Sequence, residues 1–190
     1  MRMRWFVAVA FSLCFGLSGF QADAGKLAGV TMPDTMKVKG KKLLLNGLGL
    51  REATIFRIDV YVVGLYVVKK SKSAKAILGS KTMKHIRMKF VRGVGKGRMQ
   101  GAFKKSLKVA AGKNFPKLKK RIKDFNSKME GVKKGDVIAL TLTQKGVTVF
   151  AKGAKKGFIK GADFADAVLK VYLGKKPIMK QIKRGLLGGK

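Results

Sequence analysis

Cysteine and histidine are nearly absent from this chain: one of each, Cys14 and His85, among 190 residues. One cysteine excludes an internal disulfide, and one histidine leaves no set of ligands for a structural zinc. Acidic residues are also scarce, 9 against 44 Lys and Arg, and the few carboxylates are scattered. Neither a metal nor another cofactor is therefore expected. A Ser-His-Asp triad would have to use the single histidine, and no Gly-x-Ser-x-Gly turn exists to present a nucleophile.

What is present begins with a leader. Arg2 and Arg4 precede an apolar run from Trp5 to Phe20, and Ala22-Asp23-Ala24 supplies small residues where a signal peptidase reads. Residues 1–24 are expected to be a cleaved secretory signal, and residues 25–190 a single domain. The run is short for a bilayer span of about 20 apolar residues, so no transmembrane anchor is expected after cleavage. Leu13 is too bulky for a lipoprotein site at Cys14. Cleavage removes that cysteine, so a periplasmic or secreted protein would be stabilised by packing alone.

The formal net charge is +35. Such a charge attracts polyanions, and non-specific adhesion to anionic surfaces is expected. Most of the cations are lysines spread through every predicted element. Phosphate and base recognition leans on the arginine fork and on a localised stripe, so no specific nucleic-acid partner is expected.

Leu43–Leu50 and Ala53–Val68 read as strands. In the second, Phe56, Ile58, Val60 and Val62 share one face, while Arg57, Asp59, Tyr61 and Val63 share the other. Residues 73–78 predict a short helix closed by Gly79, and residues 82–91 a half-buried strand. Met99, Ala102, Phe103, Leu107 and Ala110 mark a helix. Asn114 is placed to cap another, carrying Phe115, Leu118, Ile122, Phe125 and Met129. Residues 136–143 and 147–151 flank a hairpin turn at Gln144-Lys145-Gly146, and 157–160 add a short strand. Residues 162–173 form an amphipathic helix stopped by Gly174; Pro177 opens a last one through Met179, Ile182 and Leu186. Strands first, helices in the middle, then a hairpin and closing helices fit α+β with an antiparallel sheet.

Few residues carry chemistry. Asp163 and Asp166 lie three apart on a helix and read as first-turn capping or solvated residues. His85, between Lys84 and Arg87, reads as structural. Gly93-Val94-Gly95-Lys96-Gly97 lies between a strand and a helix, where a phosphate cradle would sit. Its spacing matches neither dinucleotide nor P-loop patterns, and it reads as a flexible loop. The run Leu43–Arg51 is more informative. Gly47 and Gly49 inside an apolar strand imply a bulge or a close approach to the backbone. Arg51 then either seats a carboxylate or enolate beside an apolar cleft, or pairs at a hairpin turn with Glu52 or Asp59.

These same residues resemble the chalcone isomerase-like superfamily, in its exported bacterial branch. The matching pieces are Leu45-Asn46-Gly47-Leu48-Gly49-Leu50-Arg51, Val60-Tyr61-Val62-Val63-Gly64-Leu65-Tyr66, Phe90-Val91-Arg92, Lys134-Gly135-Asp136 and the stretch from Ala167 to Gly174 with Pro177 after it. The resemblance implies an open-faced β-sandwich, a large antiparallel sheet under a layer of helices. In plant chalcone isomerases an arginine at the end of the glycine-containing strand stabilises the enolate formed during flavanone cyclisation; that position is Arg51. Four other plant active-site positions fall on Tyr61, Met99, Ser106 and Val171, none of which keeps the enzyme's residue. Non-catalytic plant relatives bind fatty acids with an arginine and a tyrosine on the carboxylate, a pair that Arg51 and Tyr61 resemble. The resemblance implies a small amphipathic ligand, such as a fatty acid or similar carboxylate, held by Arg51 and Tyr61. The alternatives are an isomerase or lyase on an enone-like substrate with Arg51 as the catalytic electrophile, and polyanion binding through the lysine surface.

Overall fold

A computed structural model of the protein describes residues 25–53 and 56–189. The segment read as a signal, residues 1–24, lies outside them. Strands β1 (Gly25–Leu27) and β2 (Val30–Met32) make a small hairpin. Seven more form one meander with every neighbour antiparallel: β3 (Thr35–Val38), β4 (Lys41–Ala53), β5 (Ile58–Val67), β6 (Lys84–Phe90), β7 (Val137–Thr143), β8 (Gly146–Ala151) and β9 (Ala154–Lys160). Helix α1 (Ala74–Gly79) precedes β6; α2 (Lys96–Ala111) and α3 (Phe115–Ser127) follow it; α4 (Ala162–Leu173) and α5 (Lys180–Leu186) close the chain. Helices α2 to α4 lie over one face of a curled sheet, the α+β arrangement expected. Among the described residues no helix is long and apolar enough to cross a membrane.

Strand alternation divides the burial between two faces. The face under the helices holds the main core, where Leu65, Ile86, Met88, Leu140 and Val149 meet Phe125, Phe164 and Leu169. On the opposite face, Leu43, Leu45, Val62 and Tyr66 pack against Val30 and Met32 of the small hairpin. Farther along that second face, polar side chains replace apolar ones: His85, Thr141 and Thr148 are all buried there. The sheet curls enough for Lys39, in the β3–β4 turn, to bring its Nζ within 3.5 Å of Thr148 Oγ1 on β8.

The expected helices form where their apolar spacing places them. Ser73 caps α1, its Oγ accepting from the Ala76 amide at 3.2 Å. Asn114 differs: a 3-10 turn, Gly112–Asn114, joins α2 to α3, its backbone is already helical, and its side chain makes no capping bond. Pro177 and Met179 precede α5 instead of lying within it. The strand expected over residues 53–68 starts only at Ile58, because Ala53 ends β4 and Arg57 takes φ +50° in the connecting turn. Phe56 is accordingly exposed, at 78 %. Strands β1 to β3 are too short to show an alternation that sequence reading could detect.

The two glycines of β4 satisfy both expectations placed on them. Leu45 pairs with Tyr66 but Gly47 pairs with Leu65, so Asn46 is an extra residue, a β-bulge. Its side chain fills the gap in the ladder: Nδ2 donates to the carbonyls of Ser71 at 3.0 Å and Leu186 at 2.6 Å, and Oδ1 accepts from the Ser71 amide at 2.7 Å. The bulge reverses the alternation. Leu43 and Leu45 face the small hairpin, whereas Gly47, Gly49 and Arg51 face the helices. Helix α5 then rests on bare backbone. A Cβ on Gly47 would strike the Gly185 carbonyl, and one on Gly49 would lie 3.0 Å from Ile182 Cα. Gly47→Ala should therefore displace α5 and lower stability by about 1–3 kcal/mol, as overpacked contacts do. A denaturant midpoint unchanged from wild type would contradict that packing.

Candidate functional site

Arg51 and Tyr61 are directly opposed across β4 and β5. Cross-strand partners project from the same face, so both enter the space under the helices. They line a cavity of about 320 Å³ walled by Phe90 of β6, Met99 and Phe103 of α2 and Tyr172 of α4. Its lining is mostly apolar because core side chains such as Phe90, Met99 and Phe103 form its walls.

Arg51 is half-buried. One guanidinium nitrogen, Nη1, donates to the Glu52 carbonyl and lies 3.0 Å from Met179 Sδ. Among the described residues no carboxylate pairs with it. Glu52 is turned elsewhere, to Arg57 at 3.4 Å and to the Gln181 amide nitrogen at 3.0 Å. Of the two readings left open for Arg51, the hairpin ion pair is thus made by Arg57.

The two phenols of the cavity are fully enclosed. Tyr61 meets Phe90 edge to face, with ring centroids 5.2 Å apart. The Tyr172 hydroxyl donates to Met88 Sδ at 3.2 Å. Burial pushes the Tyr61 phenol above its ordinary range, partly offset by the Tyr172 hydroxyl and then by the Arg51 charge. Burial likewise raises Tyr172 well above it, and the neighbouring Tyr61 adds to the rise. Both phenols stay protonated at neutral pH, able to donate to an anionic oxygen but not to act as bases.

The other positions singled out in the sequence divide cleanly. Met99, Ser106 and Val171 line the same cavity as Tyr61, so the four departures from the plant enzyme's residues are all at the site. Tyr172 and two exposed arginines, Arg92 and Arg98, also line it and went unassigned. Arg92 stands two residues past β6 and Tyr172 next to Val171. A cation just beyond a strand and a phenol on an apolar helix face are the signals they offered. The Gly93–Gly97 loop is tied at one point, where Val94 and Val132 exchange amide-to-carbonyl bonds of 2.9 Å. Asp163 lies in the first turn of α4 and accepts from the Phe164 amide, and a two-pronged contact with Arg121 holds its carboxyl below the usual range. His85 lies on the opposite face of the sheet. Among the described residues no three His, Asp or Glu side chains cluster as a metal site would require.

A family model described as chalcone isomerase-like matches residues 24–188. The chain belongs to the chalcone isomerase-like family. Its fold is that of a solved Arabidopsis thaliana fatty-acid binding protein: the two superpose with a TM-score of 0.69 at 21 % identity, over 84 % of this chain and 92 % of that one. No curated protein sequence matches it.

The chain has three tyrosines, and all are held protonated beyond their ordinary value near pH 10; burial pushes Tyr66 up to about 12. A phenol whose folded pKa is raised favours the native state below its unfolded pKa and ceases to as pH rises through the folded one. Ultraviolet titration of the native protein should show phenolate forming mainly above pH 10, and stability should fall from pH 10 upward. A phenolate step at pH 10 in folded protein would contradict the burial of these rings.

Proposed function

We propose that this chalcone isomerase-like protein is exported and binds a small amphipathic carboxylate, such as a fatty acid, with Arg51 as the anchor and Tyr61 as a second donor. The observation that carries the reading is the half-buried guanidinium of Arg51, which lines an apolar cavity and has no carboxylate partner among the described residues. A cation withdrawn from water is disfavoured unless an anion meets it. A ligand carboxylate supplies that anion, with the guanidinium fork and the phenol donating and the tail covered by Phe90, Met99 and Phe103. The volume lies at the low end of the roughly 300–1,000 Å³ of small-molecule sites. Exposed Arg92 and Arg98 add positive potential at the same cavity. The similar plant structure is of a fatty-acid binding protein, which supports the ligand class by analogy of fold.

Arg51→Ala should weaken fatty-acid binding about 10- to 100-fold, the range of one charged hydrogen-bonding group, and Tyr61→Phe by less. Titration calorimetry on the cleaved protein decides it. If wild type binds no fatty acid, or Arg51→Ala binds as well, the reading fails.

A second reading, isomerisation or lysis of an enone-like substrate, draws support from two protonated phenols beside Arg51, donors suited to an enolate oxygen. Met99 and Val171, which offer no hydrogen bond, count against the plant cyclisation. Turnover in this reading would be largely lost in Arg51→Lys, since lysine lacks the fork. Export rests on the leader pattern of residues 1–24, and the family match begins where that pattern ends. It predicts a mature chain starting at Gly25 in the envelope or medium, checked by N-terminal sequencing; full-length protein in the cytoplasm alone would refute it.

A further inference from the structure

The face of the sheet turned away from the helices carries a second constellation. Cα partners across five strands set Tyr66, His85, Thr141, Thr148 and Phe158 in one row. Its middle three members are polar and buried. His85 Nδ1 and Thr141 Oγ1 are 2.9 Å apart, while His85 Nε2, also buried, makes no hydrogen bond. Burying such groups is unfavourable unless they are satisfied, and the other half of this face shows that the fold accepts an apolar row there.

Beside that row runs an open groove of about 650 Å³, between β6–β8 and the strand β3 that curls over them. His85 and Thr141 line it with Arg87, half-buried and two residues from His85 on the same face, and with Lys37, Lys39 and Lys152. Lys39 reaches on to Thr148. Asp136 is the groove's only acid, and it is occupied, accepting from the Lys133 amide at 2.8 Å. Among the described residues, no carboxylate forms an ion pair with Arg87, Lys37, Lys39 or Lys152. Strand spacing sets His85 about 5 Å from Thr141 across the ladder and about 7 Å from Arg87 along β6.

We propose that this groove is an anion site for a phosphate group, with Arg87 and Lys39 supplying charge and neutral His85 donating from Nε2 while its Nδ1 accepts from Thr141. A phosphate oxyanion accepts from more donors than a carboxylate, and a guanidinium fork with lysines and an imidazole N–H around it is suited to that. The group is carried either by a small phosphate ester or by a lipid headgroup; the chemistry at the groove is the same. This site lies across the sheet from Arg51 and does not depend on the fatty-acid reading.

The chain's single histidine makes the test direct, because its ring resonances belong to His85. Folded protein is titrated with inorganic phosphate and with glycerol phosphate, against sodium chloride at matched ionic strength. Co-sedimentation with phosphatidylglycerol vesicles forms the second arm. A saturable His85 shift with the small phosphates, absent with chloride, is expected. Arg87→Gln should weaken it at least about tenfold and Lys39→Gln several-fold, with Arg51→Ala unchanged. Vesicle binding lost in Arg87→Gln, without a response to small phosphates, assigns the headgroup. No saturable response in either arm overturns the site, as does one that survives both groove substitutions in variants whose circular dichroism is native; if Arg87→Gln fails to fold, Lys39→Gln decides.

Discussion

A single extra residue in β4 sets the direction of everything that follows it. With strict two-residue alternation Arg51 would share the face of Leu43 and Leu45 and sit against the small N-terminal hairpin. The bulge at Asn46 shifts the alternation by one, so the same strand buries leucines on one side and, five residues later, delivers a guanidinium to the other. Three hydrogen bonds from the Asn46 amide to Ser71 and Leu186 hold the irregularity in place. The glycines next to it remove the side chains that would otherwise keep α5 away. Bulge, glycines and terminal helix are therefore one device, and the orientation of Arg51 is its product.

The sheet it belongs to works on both faces. Under the helices a continuous core is interrupted at one end by a cavity whose polar groups are few and strongly placed: an arginine with no carboxylate partner among the described residues and two phenols that burial keeps protonated. Across the sheet, the apolar patch closed by β1 and β2 gives way to His85, Thr141 and Thr148. The same burial that raises the phenols depresses His85, whose pKa falls to about 4, with Arg87 adding to the effect. The imidazole is therefore neutral in the folded protein at neutral pH. Stability that depends on its neutrality is present above its ordinary value near 6.5 and lost as pH falls towards 4.

Much of this could be read along the chain. The helical spacing of Met99, Phe103 and Leu107, the Phe115–Met129 stripe and the Ala162–Leu173 helix needed only the 3.6-residue period, because each buries one face against the sheet. The hairpin at Gln144–Gly146 needed only its turn chemistry. Glycines at 47 and 49 signalled both a bulge and a close approach, and both occur. The start of β5 falls later than its pattern suggests, at Ile58, because apolar Phe56 extends that pattern into a turn and alternation cannot show where a strand pair ends. The pairing of Glu52 with Arg57 instead of Arg51 depends on that turn and was equally out of reach.

The sequence by itself determined the fold class, the antiparallel sheet with its cover of helices, and the candidacy of Arg51 and Tyr61, since these follow from local periodicity, turn residues and a family pattern spread over the domain. Only the tertiary structure decided which face of β4 Arg51 leaves from, that Tyr172 joins it from a helix more than a hundred residues away, and that His85 and Arg87 share a groove with Lys39. Those relations depend on register and on sheet curl. Both are set by how distant strands pair and not by any stretch of residues alone.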